Sequence, residues 1–348
     1  MPPRKTAARL SQPHLLGIEP LSVDDIELVL ATARKYQTRV AAEIRPVPRL
    51  DLLKGKNLVL AFFEPSTRTR VSFEIAAQRL GMDVVNLALE ASSAQKGESL
   101  LDTIKTLVAM RPDALVVRHR GSGVPRFLAR HTNVPILNAG DGTHEHPTQA
   151  LLDALTILDH KKKLEGLKVA ILGDILHSRV ARSNIYLLSK FGTRVALGGP
   201  PPLVPKGFEG LAPGVSVYDR LEEALGGADV VMMLRVQMER QREPLFASPA
   251  EYGRHYCLTP QRLALAKPDA IVMHPGPFLR GVDISGEVAD SPRSVIPQQV
   301  DNGVAVRMAL LYLLMPPPEE TLPAEPTRAR SEERRVGKEC RSRWSPYH

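Results

Sequence analysis

Short runs of consecutive apolar residues alternate with helical repeats along most of this chain, and that rhythm limits the fold more than any other feature. The runs Asn57–Phe63, Asp83–Leu87, Ala114–Arg118 and Pro135–Leu137 lack the in–out alternation of half-exposed strands. Continuous apolar strands belong to parallel sheets covered on both faces. Helical patterns fill the intervals, at Thr67–Leu80, Ser99–Met110, Val124–His131 and Pro147–Asp159. A first helix precedes them. Ser22 caps it, Asp24 and Asp25 sit in its first turn, and it runs to about Tyr36. His160-Lys161-Lys162-Lys163 interrupts the pattern, and a second alternation begins. Its strands are Leu167–Leu172, Arg194–Leu197, Asp229–Met233 and Ala270–Met273, and its helices Arg179–Phe191 and Leu221–Leu225. A last amphipathic helix, about Gln299–Leu314, ends before Pro316-Pro317-Pro318. The predicted fold is α/β: two tandem doubly wound parallel-sheet domains, with the active site in the cleft between them. Ligands of such sheets bind beyond the carboxyl ends of the strands.

The length of 348 residues suits two domains of ordinary size. No apolar run reaches the ~20 residues of a membrane span. The start, MPPRKTAARLSQP, has no apolar signal core and reads as a short arm. Two cysteines, Cys257 and Cys340, form neither a disulfide framework nor a zinc spacing. A cytoplasmic protein is expected, with no membrane partner. A pI near 9.5 raises the question of nucleic acid. However, residues 330–348, RSEERRVGKECRSRWSPYH, resemble the in-frame translation of a sequencing-library adapter and are expected to be a non-native tail, after a linker at 317–329. The tail holds six basic and three acidic residues, so without it the net charge falls from +8 to +5. With aromatics at only 5%, no nucleic-acid partner is expected.

The first strand ends in Glu64-Pro65-Ser66-Thr67-Arg68-Thr69-Arg70, and a helix starts at once. A helix N-terminus offers free N–H groups and a dipole that favours anions. Ser66, Thr67 and Thr69 add hydroxyl donors, and Arg68 and Arg70 add charge and forked hydrogen bonds. A solvated helix start with two exposed arginines is the plainer alternative, but the density of donors after a buried strand favours a phosphate site. It is not a Walker loop, because no Gly-Lys-Ser/Thr turn is present.

More polar segments follow other strands. Ser92-Ser93-Ala94-Gln95-Lys96-Gly97-Glu98-Ser99 is a loop with one lysine. Arg118-His119-Arg120 ends the third strand. His146 and Gln149 flank Pro147 at a helix start, three residues apart, so both can face one point. His144, Glu145 and His146 are adjacent and project apart, so no metal site is predicted. Arg179 opens a helix after Gly173-Asp174, and Arg235 with Gln237 follows the strand ending at Met233. Two arginines at strand ends suit a dicarboxylate. His274-Pro275-Gly276-Pro277 forms a rigid turn after the last strand, with a cis bond before Pro277 compatible with it.

In order and context these segments resemble the aspartate/ornithine carbamoyltransferase family, over roughly Leu15 to Leu314. The resemblance implies transfer of the carbamoyl group of carbamoyl phosphate to the α-amine of L-aspartate, toward pyrimidines, with no cofactor. It implies that Ser66, Thr67, Arg68 and Thr69 hold the phosphate, and that Arg118, His146 and Thr69 polarise the carbamoyl carbonyl. Gln149 and backbone carbonyls near Pro275, Gly276 and Pro277 would hold the carbamoyl NH2. Arg179, Arg235 and Gln237 would bind the aspartate carboxylates. Ser92 and Lys96 would come from a neighbouring subunit, Lys96 serving both substrates, which makes a homotrimer with shared active sites the expected unit. Dihydroorotase or a regulatory chain is a candidate further partner. The expected division is 14–148 plus 298–316 for carbamoyl phosphate and 149–297 for aspartate, the last helix packing back on the first domain. The rivals are an ornithine enzyme, whose substrate ammonium Arg235 would repel, and an inactive scaffold subunit, against which stands the complete set of phosphate-turn arginines and Lys96.

Overall fold

The computed structural model describes residues 8–41, 49–87, 99–238, 245–246 and 248–315. Four strands, β1 (Asn57–Phe62), β2 (Asp83–Asn86), β3 (Ala114–His119) and β4 (Ile136–Asp141), form a parallel sheet in the order β2-β1-β3-β4. Five more, β5 (Lys168–Leu172), β6 (Arg194–Gly198), β7 (Val215–Tyr218), β8 (Val230–Met233) and β9 (Ile271–Met273), form a second parallel sheet in the order β7-β6-β5-β8-β9. Both orders reverse direction from a central strand, the mark of doubly wound sheets.

The continuous apolar strands follow from burial on both faces. Leu58 and Leu60 of β1 face one core and Val59 faces another; on β3, Val116 faces the first, Leu115 and Val117 the second. On β5, Val169 and Ile171 likewise point away from Ala170 and Leu172. A single core contains residues of both sheets, Leu58 and Leu137 with Val169 and Leu197. Helix α5 joins the halves. In chain order the helices before it are α1 (Val23–Ala41), α2 (Thr67–Arg79), α3 (Leu100–Ala109) and α4 (Val124–Ala129), and α5 itself is Pro147–Lys161. Every residue from Pro147 to Ile157 is buried, as expected of a helix walled in on all sides.

The remaining helices are α6 (Arg179–Lys190), α7 (Leu221–Leu225), α8 (Pro249–Tyr256), α9 (Pro260–Leu263), α10 (Gly286–Ala289) and α11 (Ile296–Leu314). Helix α11 carries the chain back across the molecule and packs against α1, α2 and α5. Gln37 of α1 donates to Asn302 of α11 at 2.6 Å and to Asp159 of α5 at 2.9 Å, tying the three together.

Some elements differ from expectation. Strand β4 runs on to Asp141, because Asn138 is buried with its amide satisfied: Nδ2 donates to Leu16 O and Oδ1 accepts from Gly140 N–H. Strand β7 was not expected; at the sheet edge only Val215 is buried, and Val-Ser-Val-Tyr carries no continuous apolar signal. Helices α8, α9 and α10 are too short for a clear period. Helix α11 starts three residues early, with Pro297 in its first turn. Ser92, Lys96, Cys340, the linker and the tail lie outside the described residues.

Leu311 of α11 is fully buried in the shared core. Leu311→Ala is expected to lower the unfolding free energy by about 2–5 kcal/mol, measured by urea unfolding beside the parent protein. A loss within experimental error would show that α11 does not stabilise the fold through this face.

Candidate active site

The carboxyl ends of β1, β3, β4, β5, β8 and β9 open on one cavity of about 740 Å³. It brings together Ser66, Thr67, Arg68 and Thr69, Arg118, His146 and Gln149, Arg179, Arg235 and Gln237, and Gly276 and Pro277. The site residues read from the sequence meet here apart from Arg70, which is exposed and does not line the cavity, and from Ser92 and Lys96, which lie outside the described residues. Among the described residues five guanidiniums line the walls, from Arg68, Arg118, Arg179, Arg235 and Arg307, against the single carboxylate of Glu64. Such an excess of fixed positive charge suits ligands that are together multiply anionic.

Helix α2 presents the phosphate-type floor. Ser66 caps it in extended conformation, its side chain makes no capping hydrogen bond, and the first turn has no acidic residue. The first-turn N–H groups and the Ser66 hydroxyl thus remain available to an anion. Burial and the nearby charge of Arg235 lower the pKa of Arg68, the electrostatic sign of a cationic site held together by the fold.

Arg118 leaves the end of β3 and donates to Ala139 O at 3.1 Å. Arg179, at the first turn of α6, donates to Gly142 O at 3.2 Å. Both close on Glu64: Arg118 at 3.0 Å, and Arg179 through a fork at 2.7 and 3.0 Å. Gly140 permits this approach, since at φ 115° a Cβ there would stand 2.9 Å from Arg179 Nε and 3.1 Å from Arg118 Nη1. Glu64 thus bridges the first sheet to the second. Reading the sequence did not single it out, because its partner Arg179 is 115 positions away.

Both histidines of the site are neutral near pH 7. Burial, then the charges of Arg118, Arg179 and Arg307, hold His146 well below the ordinary imidazole pKa. Burial, then Arg68 and Arg235, bring His274 to about 3. His274 Nδ1 accepts from Gly276 N–H at 2.8 Å, so its proton is on Nε2. This bond pins the 275–277 turn, whose Gly276–Pro277 bond is cis. At Gly276, φ 65°, a Cβ would stand 3.2 Å from the Arg68 guanidinium. Gln237 is fixed twice, its N–H donating to Asp174 at 3.1 Å and its Nε2 to His177 O at 3.0 Å.

Asp153, Gln299 and Arg307 were also missed. Arg307 is buried among apolar residues of α11, stacks on Phe73 and donates to Ser72 at 3.0 Å; one arginine inside Val-Ala-Val-Arg-Met-Ala-Leu was the available signal. His144 and Glu145 turn elsewhere. His144 pairs with Asp141 at 3.1 Å, and Glu145 accepts from Ile18 N–H and Ser183 at 2.7 Å each. Among the described residues no group of three or more potential metal ligands converges.

Comparisons with known proteins agree with this geometry. Residues 13–159 match the family model described as aspartate/ornithine carbamoyltransferase, carbamoyl-P binding domain, and residues 165–314 the one described as the Asp/Orn binding domain. The chain is 58% identical over 297 residues to the aspartate carbamoyltransferase catalytic subunit of Solibacter usitatus, covering 85% of this chain and 97% of that one. It is 55% identical to the catalytic subunit from Syntrophotalea carbinolica, covering 86% and 95%. Trypanosoma cruzi aspartate transcarbamoylase in complex with carbamoyl phosphate superposes with a TM-score of 0.78 at 35% identity, over 86% of this chain and 95% of that one. Ornithine carbamoyltransferase from Pyrococcus furiosus gives 0.79 at 28% identity, over 89% and 99%. Two family models that follow each other along the chain in the order of its two sheets, and relatives matched over nearly their whole length, leave one conclusion: the chain belongs to the aspartate/ornithine carbamoyltransferase family.

Proposed function

We infer that this chain transfers the carbamoyl group of carbamoyl phosphate to the α-amine of L-aspartate, giving N-carbamoyl-L-aspartate and phosphate, in pyrimidine biosynthesis. The observation that carries this reading is the five-guanidinium cleft, in which arginines from the second sheet face an anion site on the first. The relatives at 55–58% identity, named as aspartate carbamoyltransferase catalytic subunits, support the same choice. An ornithine side chain would bring an ammonium toward Arg179 and Arg235, and Glu64 is already engaged by two arginines.

The geometry supports the following roles. Ser66, Thr67, Arg68, Thr69 and the α2 N-terminus hold the phosphate. Arg118, Thr69 and neutral His146, acting as an N–H donor, stabilise the oxyanion that forms when the amine adds to the carbonyl carbon. The new C–N bond forms, the C–O bond to phosphate breaks, and the departing phosphate takes the amine proton. Arg179, Arg235 and Gln237 hold the aspartate carboxylates. No covalent nucleophile is required, because the donor is already activated; positioning two substrates can itself lower the barrier by about 7–11 kcal/mol. Gln149 and carbonyls of the 275–277 turn receive the carbamoyl NH2.

The division into 14–148 plus 298–316 and 149–297 goes with this reading, and the packing of α11 on α1 and α2 supports it. A cytoplasmic homotrimer in which Ser92 and Lys96 complete a neighbour's site also belongs to this reading. Among the described residues no helix is long and apolar enough to cross a membrane.

Arg68→Ala is expected to reduce turnover by at least about 10²–10³-fold with an unchanged circular dichroism spectrum; near-normal turnover would refute the phosphate assignment. Arg235→Ala is expected to raise the aspartate KM about tenfold or more, the cost of a lost charged hydrogen bond, while an unaltered aspartate dependence would remove Arg235 from the site. Mixed subunits carrying Lys96→Ala and Arg68→Ala, each inactive alone, should regain activity through hybrid sites. No recovery despite verified subunit exchange would contradict shared sites.

A further inference from the structure

Gln149 and the 275–277 turn approach the cavity from different parts of the chain, one from α5 and one from the loop after β9, yet both trace back to one buried carboxylate. Asp153 is fully buried on α5, one turn after Gln149. Its Oδ1 accepts from Gln149 Nε2 at 2.9 Å and from Gln299 Nε2 at 2.8 Å; its Oδ2 accepts from Asn184 Nδ2 at 2.9 Å. Gln299 in turn accepts, through Oε1, the N–H of His274 at 2.8 Å, and His274 Nδ1 accepts the N–H of Gly276 at 2.8 Å.

The chemistry of these groups makes the chain directional. An amide side chain can present its oxygen or its NH2 to a neighbour, and only its partners decide which. An ionised carboxylate has acceptors alone. Facing Asp153, Gln149 must therefore turn its NH2 inward, which leaves Oε1 as the other face of an amide that lines the cavity. Gln299 must do the same, and its oxygen is then committed to His274 and so to the backbone of the turn. Burial pushes the Asp153 carboxyl up to about 6, with the three amides and Arg307 opposing the rise, so the group is mainly ionised at pH 7 and above.

We propose that Asp153 is the positioning residue for carbamoyl specificity: through Gln149 directly, and through Gln299 and His274 at one remove, it orients both sets of oxygen acceptors that receive the NH2 of the donor. The proposal rests on the carbamoyl-transfer reading above. If Asp153 only staples α5, α6 and α11 together, its loss would weaken the protein without changing which acyl phosphate it prefers. If it orients acceptors, its loss removes the preference for NH2 over a group of equal size that cannot donate. Sites built to bond a substrate N–H reject the analogue lacking it far better than sites that recognise shape alone.

Acetyl phosphate, with CH3 in place of NH2, is the probe. The readout is the ratio of kcat/KM for carbamoyl phosphate to that for acetyl phosphate at saturating L-aspartate. In Asp153→Leu, which removes every acceptor, the ratio is expected to fall about tenfold or more, mainly through the carbamoyl phosphate value. Asp153→Asn is expected to restore most of the ratio. Its one oxygen can still accept from both glutamines, and its NH2 meets Asn184 Oδ1, which has no hydrogen-bond partner among the described residues, once the Asn184 amide turns over at the cost of its bond to Val180 O. A parallel fall for both donors, with the ratio unchanged, would overturn the proposal. If Asp153→Leu does not fold, Gln299→Met serves: it spares Asp153 and Gln149 but frees the turn, and the ratio should again fall, an unchanged ratio being contrary. A parent protein that transfers no carbamoyl group to aspartate would instead contradict the function itself.

Discussion

Five guanidiniums crowded at the meeting of two sheets repel one another, and much of the structure is arranged to hold them there. Arg118 and Arg179 are clamped by Glu64 and by backbone carbonyls. Arg307 is buried against Phe73 and Ser72. Burial, reinforced by the same concentration of charge, keeps His146 and His274 neutral. An imidazole without charge donates through N–H and does not add to the repulsion. Cationic crowding stabilised by the fold is thus complementary to substrates and to an oxyanion, and its complementarity is strongest when negative charge develops.

Helix α5 gives this site its rigidity. It is buried along most of its length and begins with His146 and Gln149 at the cavity. One turn further on, Asp153 gathers amides from α5, α6 and α11. Chemistry at the mouth and packing in the interior therefore use the same helix. A site supported from a largely buried element is held more closely than one on a surface loop.

Much of this was legible in the sequence, for physical reasons. Leu58, Val59 and Leu60 announce a strand because both faces of β1 are covered, and Ser66 to Arg70 announce an anion site because donors follow a buried strand directly. The edge strand β7 was silent, since exposure on one side removes the apolar run. Glu64, Asp153 and Gln299 were silent for another reason. Each is an ordinary residue in its own segment, and its role depends on partners more than a hundred positions away, such as Arg179 for Glu64 and Gln299 for Asp153. Local pattern identifies groups that act through their neighbours in sequence. It cannot identify groups that act by bracing others across the fold.

The central claim is that the arginines of the second sheet select a dicarboxylic amino acid as carbamoyl acceptor. The most direct test is phosphate release from carbamoyl phosphate by the purified protein, with L-aspartate and L-ornithine supplied separately. Release that depends on aspartate and not on ornithine is the predicted result. Release that depends on ornithine would keep the family but contradict the placement of Arg179 and Arg235 against substrate carboxylates.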